Sequence, residues 1–203
     1  MNKQKITIDF LKEKNACADA IRWFSKQNET DLIKLLNYSI KNEFHLDWAN
    51  WLIVRCMKYK QYVRYAIYAA KQVLHIYEEK YPDDKRPRKA INAALKCLKN
   101  PTEENKNAAA YAAYAAYAAY ADAYAAAYAA AYAADAAADA AAAADAAADA
   151  AAYAAAYAAY AADAAAYAAA YAAYAAYAAD AAYAAKKQLQ IKILKYGIRL
   201  LKS

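Results

Sequence analysis

Glycine is almost missing from this chain: 203 residues contain one Gly, three Pro, two His and three Cys. The cysteines, Cys17, Cys56 and Cys97, include no CxxC pair and have no His doublet beside them. That argues against a zinc site and against a disulfide framework, and leaves small buried thiols in a reducing compartment as the expectation. Gly and Pro are absent altogether from residues 108–185, a stretch of 78 residues made of 56 Ala, 15 Tyr and 7 Asp. Ala is the strongest helix former and nothing interrupts it, so this tract is predicted to be helical throughout. The tract also lacks Leu, Ile, Val and Phe, and Asp recurs through it, which argues against a membrane span. Met1-Asn2-Lys3 leads into a segment with Asp9, Lys12 and Glu13 and lacks the apolar core of a secretory leader. A cytoplasmic protein with no membrane partner is expected.

Lys and Arg are absent from the tract as well. All 27 lie elsewhere, together with 13 of the 20 acids, so the tract carries −7 and the remainder +14. Either these halves neutralise each other within one fold, or the basic half meets an anion such as nucleic acid, a nucleotide or an acidic protein.

Outside the tract, apolar residues recur at helical spacing. Phe10, Ala16, Cys17, Ala20, Ile21 and Phe24 predict one amphipathic helix over Ile6–Lys26. The polar run Asn28-Glu29-Thr30-Asp31 supplies an N-cap for a second helix through Leu32, Leu35, Leu36 and Ile40. Trp48, Trp51, Leu52 and Val54 follow, a density of apolar and aromatic residues that reads as core rather than as a base-stacking platform. A long helix is predicted over Tyr59–Glu79, with Tyr62, Val63, Ala66, Ile67, Ala70, Val73, Leu74 and Tyr77 as its buried stripe. Arg64 interrupts its aromatic setting as a residue with a buried stem and an exposed tip. His75 has no second His or Cys nearby and reads as structural, so no metal ligand set is expected.

The run Tyr81-Pro82-Asp83-Asp84-Lys85-Arg86-Pro87-Arg88 is a charged turn, with Pro87 suited to the first turn of the helix through Ala90, Ile91, Ala94, Leu95 and Leu98. Lys85, Arg86 and Arg88 are candidates for holding phosphate, and Asp83 and Asp84 are placed to neutralise them as a salt-bridged cap. Asn100 is expected to cap the next helix, with Pro101 in its first position. A basic C-terminal helix carries Leu189, Ile191, Ile193, Leu194, Ile198, Leu200 and Leu201.

Within the tract, the Tyr and Asp residues are spaced by three or four along most of its length, which gathers them on one slowly drifting stripe. Tyr111, Tyr114, Tyr117, Asp135, Asp139, Tyr153, Tyr157 and Asp163 mark that stripe as a candidate contact surface. Burying it would bury its carboxylates, so the Ala side is predicted to pack and the Tyr/Asp side to face outward. As one straight helix the tract would run about 117 Å, so it is expected to fold back near Asp135–Asp149. The predicted fold is all-α: a multi-helix bundle in which an Ala/Tyr/Asp-rich helical hairpin packs on an N-terminal helical part. Residues 1–100 form that part and residues 101–203 the hairpin and basic C-terminal helix, together one folded unit.

Several segments carry a family resemblance. Asp47-Trp48-Ala49-Asn50-Trp51-Leu52, Val63-Arg64-Tyr65-Ala66-Ile67-Tyr68-Ala69-Ala70 and Lys80-Tyr81-Pro82-Asp83-Asp84-Lys85-Arg86-Pro87-Arg88-Lys89-Ala90-Ile91 resemble immunity proteins of the immunity-five-like group of bacteria and their phages. The resemblance extends to an Ala/Tyr/Asp-rich region before a basic C-terminal segment, although the family commonly has Arg and Lys among its Ala runs. It implies a small helical protein that neutralises a toxin or defence effector by direct contact, without enzymatic activity and without a cofactor. Two alternatives come from the residues. The first is sequestration of a phosphorylated signalling nucleotide, with Arg64, Lys85, Arg86 and Arg88 on phosphate and Trp48 or Trp51 on the base. The second is a structural helical protein that associates with copies of itself.

Overall fold

The computed structural model describes residues 4–112, Ala164 and residues 179–203. These residues are all-α. Their helices are α1 (Ile8–Glu13), α2 (Ala18–Ser25), α3 (Leu32–Asn42), α4 (Leu46–Arg55), α5 (Tyr59–Lys80), α6 (Arg86–Lys99), a helical segment over 103–112, and α7 (Ala179–Lys202). The described residues contain no strand, only one isolated antiparallel bridge between Lys5 and Asp31. None of the described helices is long and apolar enough to cross a membrane.

Local chemistry explains most of the boundaries. Thr7 accepts the Phe10 amide (3.1 Å) to open α1, and Asp31 accepts the Lys34 amide (3.0 Å) to open α3. Pro87 sits in the first turn of α6, where its missing N–H costs nothing. Gln61 accepts the Lys58 amide (2.9 Å) at the start of α5 and donates to the Leu200 carbonyl (2.6 Å), so one side chain joins that start to the end of α7.

The single helix expected over Ile6–Lys26 is two helices. Asn15 takes a left-handed conformation (φ 57°), its amide and that of Ala16 close back onto Lys12 and Leu11, and Cys17 restarts the chain in an extended conformation. Asn tolerates that conformation better than other side chains, so the apolar period survives the break that interrupts the helix. Cys17 is exposed rather than buried, because it occupies the N-cap of α2. The cap after α6 also differs from expectation. Asn100 ends α6 in an extended conformation, and Thr102 caps the next helix through the Asn105 amide (3.3 Å).

The core runs through the middle of the bundle, with α7 packed against α3, α4 and α5, and α5 packed against α6. Leu32, Leu36, Ile53, Val54, Val63, Val73, Ile91, Ile193 and Leu194 are almost wholly buried. Each such side chain contributes about 1.5–3 kcal/mol relative to exposure. The buried Tyr65 donates to Asn50 Oδ1 (2.7 Å), tying α5 to α4 inside this core. Gly197 lets α7 approach at this point, since a Cβ there would stand 2.6 Å from both Ile53 and Tyr65.

Of the Ala-rich tract, the two ends and Ala164 are described. Ala109 is buried, Ala112 packs partly against the core, and Tyr111 is 77% exposed. Tyr183, at the other end, is 63% exposed. Tyr114, Tyr117, Asp135, Asp139, Tyr153, Tyr157 and Asp163, with the expected fold-back and hairpin, lie outside the described residues.

Candidate functional site

The connector between α3 and α4 holds two non-glycine residues in the left-handed region, Glu43 (φ 50°) and His45 (φ 50°), with Phe44 between them. Each such conformation costs an L-residue about 1–2 kcal/mol, and strain of this kind gathers at functional sites. Its effect here is geometric. The Phe44 amide closes onto the Ser39 carbonyl (3.0 Å), and the Phe44 side chain stays 45% exposed.

Around Phe44 lies a cluster of rings from three elements. His45 stacks on Trp48 (3.6 Å between centroids, 11° between planes), and Phe44 packs at 3.7 Å from His45. Trp23, from α2, meets Tyr38, Phe44, His45 and Trp48 with centroids between 5.7 and 6.5 Å. Tyr38 is 48% exposed. The two most exposed rings therefore rest on half-buried aromatics that hold them in place. In the segment expected as core, Val54 is buried and Trp51 and Leu52 pack against the core, while Phe44, which precedes that segment, stands exposed at its edge.

A charged rim borders the face. Lys187 of α7 pairs with Glu43 (3.2 Å) and sits 4.7 Å from the Tyr183 ring centroid. Beside that pair opens a cavity of about 380 Å³ lined by Glu43, His45, Asp47, Lys186, Lys187 and Gln190. Apolar centre and mixed-charge rim together match the anatomy of a protein-contact surface.

The charged turn singled out in the sequence is largely satisfied within itself. Asp84 accepts the Arg86 amide (2.9 Å), the Arg86 guanidinium at 2.5–3.0 Å and the Tyr77 hydroxyl (2.6 Å). These bonds, Arg86 first, hold the Asp84 carboxyl well below the usual carboxylate range. The Tyr77 phenol is pushed up to about 12, by burial and then by its bond to Asp84. Arg88 pairs with Glu78, Lys85 bonds the Pro82 carbonyl, and Asp83 is exposed. Arg64 is elsewhere, in a groove whose lining includes none of Lys85, Arg86, Arg88, Trp48 or Trp51. The phosphate-and-base set expected from the sequence is therefore not assembled as one site. Among the described residues, no group of three or more His, Cys, Asp or Glu is arranged to hold a metal ion.

No family model, curated protein or solved structure matches the chain.

Proposed function

We propose that this chain is a non-enzymatic binding protein that neutralises a protein effector, a toxin or defence enzyme, by direct contact through the face centred on Phe44. The observation that carries this reading is an exposed Phe fixed between two left-handed residues on a base of Trp23, His45 and Trp48. Aromatic anchors held rigid before binding lose little conformational entropy in the complex, and such residues dominate interface energetics. The Glu43–Lys187 pair and Asp47 supply a polar rim that sets orientation more than affinity. The resemblance to immunity proteins points to the same class of partner, and an excess of positive charge favours fast, steered encounter with an acidic one.

Parallel affinity capture tests this, using the intact chain and a Phe44→Ala/Tyr38→Ala variant as baits in a host expressing candidate effectors. The expected result is an effector retained by the intact chain, inhibited by it when both are purified, and lost from the variant. An effector bound and inhibited equally by both baits would remove the face from the account.

A further inference from the structure

A second surface, formed by residues none of which lines the aromatic face, has the composition of an anion site. Lys60, Arg64 and Lys71 lie on one face of α5, four and seven residues apart, and Lys99 stands at the end of α6. These four cations line a groove of about 560 Å³ between α5, α6 and α7, and among the described residues no carboxylate lines it. Among the described residues none of the four is in an ion pair, whereas Arg86 and Arg88 are both held by acids. Four like charges facing one concavity repel each other, and a bound anion relieves that repulsion.

The rest of the lining is flat and apolar. Tyr68 and Tyr196 stack face to face across the α5–α7 contact (3.9 Å, 12°), with the Arg199 guanidinium 5.6 Å from the Tyr196 centroid. Leu95, Leu98 and Leu200 form the adjoining wall. Burial pushes the Tyr196 phenol up while Arg64 and Arg199 pull it down, which places that hydroxyl within the field of these cations. The volume falls in the range of small-ligand pockets, roughly 300–1,000 Å³.

We infer that this groove binds a free nucleotide carrying two or more phosphates, with Lys60, Arg64, Lys71 and Lys99 on the phosphates and the base against the Tyr68–Tyr196 stack and the leucine wall. Arg64 is the specific element, because its planar fork bonds phosphate oxygens in pairs while the lysines act as point charges. Aromatic stacking and the apolar wall select for a base over bare phosphate.

Calorimetry on the full chain tests the assignment, with ATP, GTP, ADP and GDP as probes and tripolyphosphate, adenosine and a twelve-residue oligothymidylate as comparisons. Saturable binding of at least one nucleotide is expected, at least about tenfold tighter than tripolyphosphate or adenosine. Substituting two exposed cations, Arg64→Gln with Lys71→Gln, weakens it at least about tenfold at an unchanged melting temperature. Lys85→Gln leaves it unaltered. Absence of saturable binding by all four nucleotides overturns the inference, as does equal affinity for tripolyphosphate. Tighter binding of the oligonucleotide overturns it in favour of a single-strand nucleic-acid site.

Discussion

Replacing Gly197 by Ala is predicted to destabilise the protein, although in most helices the same change stabilises. In a helix interior, Ala is favoured over Gly by about 0.8–1 kcal/mol. Against that, the added Cβ would lie 2.6 Å from Ile53 Cδ1, 2.6 Å from Tyr65 Cε2 and 3.0 Å from Tyr65 Cδ2. Contacts between carbons are comfortable at about 3.5–4.0 Å, so two neighbours must each give by about 1 Å. Ile53 can rotate its terminal methyl. Tyr65 has little freedom, being wholly buried with its hydroxyl donating to Asn50 at 2.7 Å. Overpacking of this kind costs about 1–3 kcal/mol, and loosening the Tyr65–Asn50 bond adds about 1 kcal/mol. After the helix-propensity gain is subtracted, the net loss is about 1–3 kcal/mol. Urea unfolding followed by circular dichroism reads it as a lower midpoint at constant slope. Trimming Ile53 to Val removes one of the clashing atoms, so the double substitution should lose less than the sum of the singles. A Gly197→Ala protein more stable than the parent would refute the close approach of α7 to α4 and α5.

Further outcomes follow from the same packing. Asp84→Asn removes the charge that Arg86 and Tyr77 bond to and should cost about 1.5–3 kcal/mol at pH 7. Because the folded Asp84 carboxyl titrates below its unfolded value, its contribution is present above about pH 4 and fades as pH falls further. The difference between parent and variant, measured by denaturant unfolding from pH 7 to pH 3, should therefore shrink only at the acid end. Asp31→Ala removes the cap on α3 and should cost about 1 kcal/mol, with Asp31→Asn recovering most of it.

Much of the bundle is legible in the sequence, since the boundaries and buried stripe of α5, the Asp31 cap and the place of Pro87 follow from local rules. The division of the first helix was hidden because apolar spacing carries through the turn at Asn15, where only the backbone conformation changes. The aromatic face was hidden for a different reason. Residue type shows that Trp48 and Phe44 are hydrophobic, but their exposure depends on Glu43 and His45 adopting conformations that neither residue type announces. In the charged turn, both signs were visible, and the pairing of Asp84 with Arg86 follows from their proximity. The groove was illegible because Lys60, Lys99 and Tyr196 come from three distant helices. Arg64 was a phosphate candidate in the sequence, whereas Lys60, Lys71 and Lys99 taken alone read as ordinary solvated side chains.

The most direct test of the contact surface compares dissociation constants of the captured effector for three proteins: the parent, Phe44→Ala and Arg88→Ala. Both substituted positions are exposed, so their melting temperatures serve as the check on folding. If binding runs through the aromatic face, Phe44→Ala costs about 2 kcal/mol or more, roughly a thirtyfold loss, while Arg88→Ala stays within about threefold of the parent. Unchanged affinity in Phe44→Ala together with a large loss in Arg88→Ala would contradict the account and move the contact surface to the charged turn.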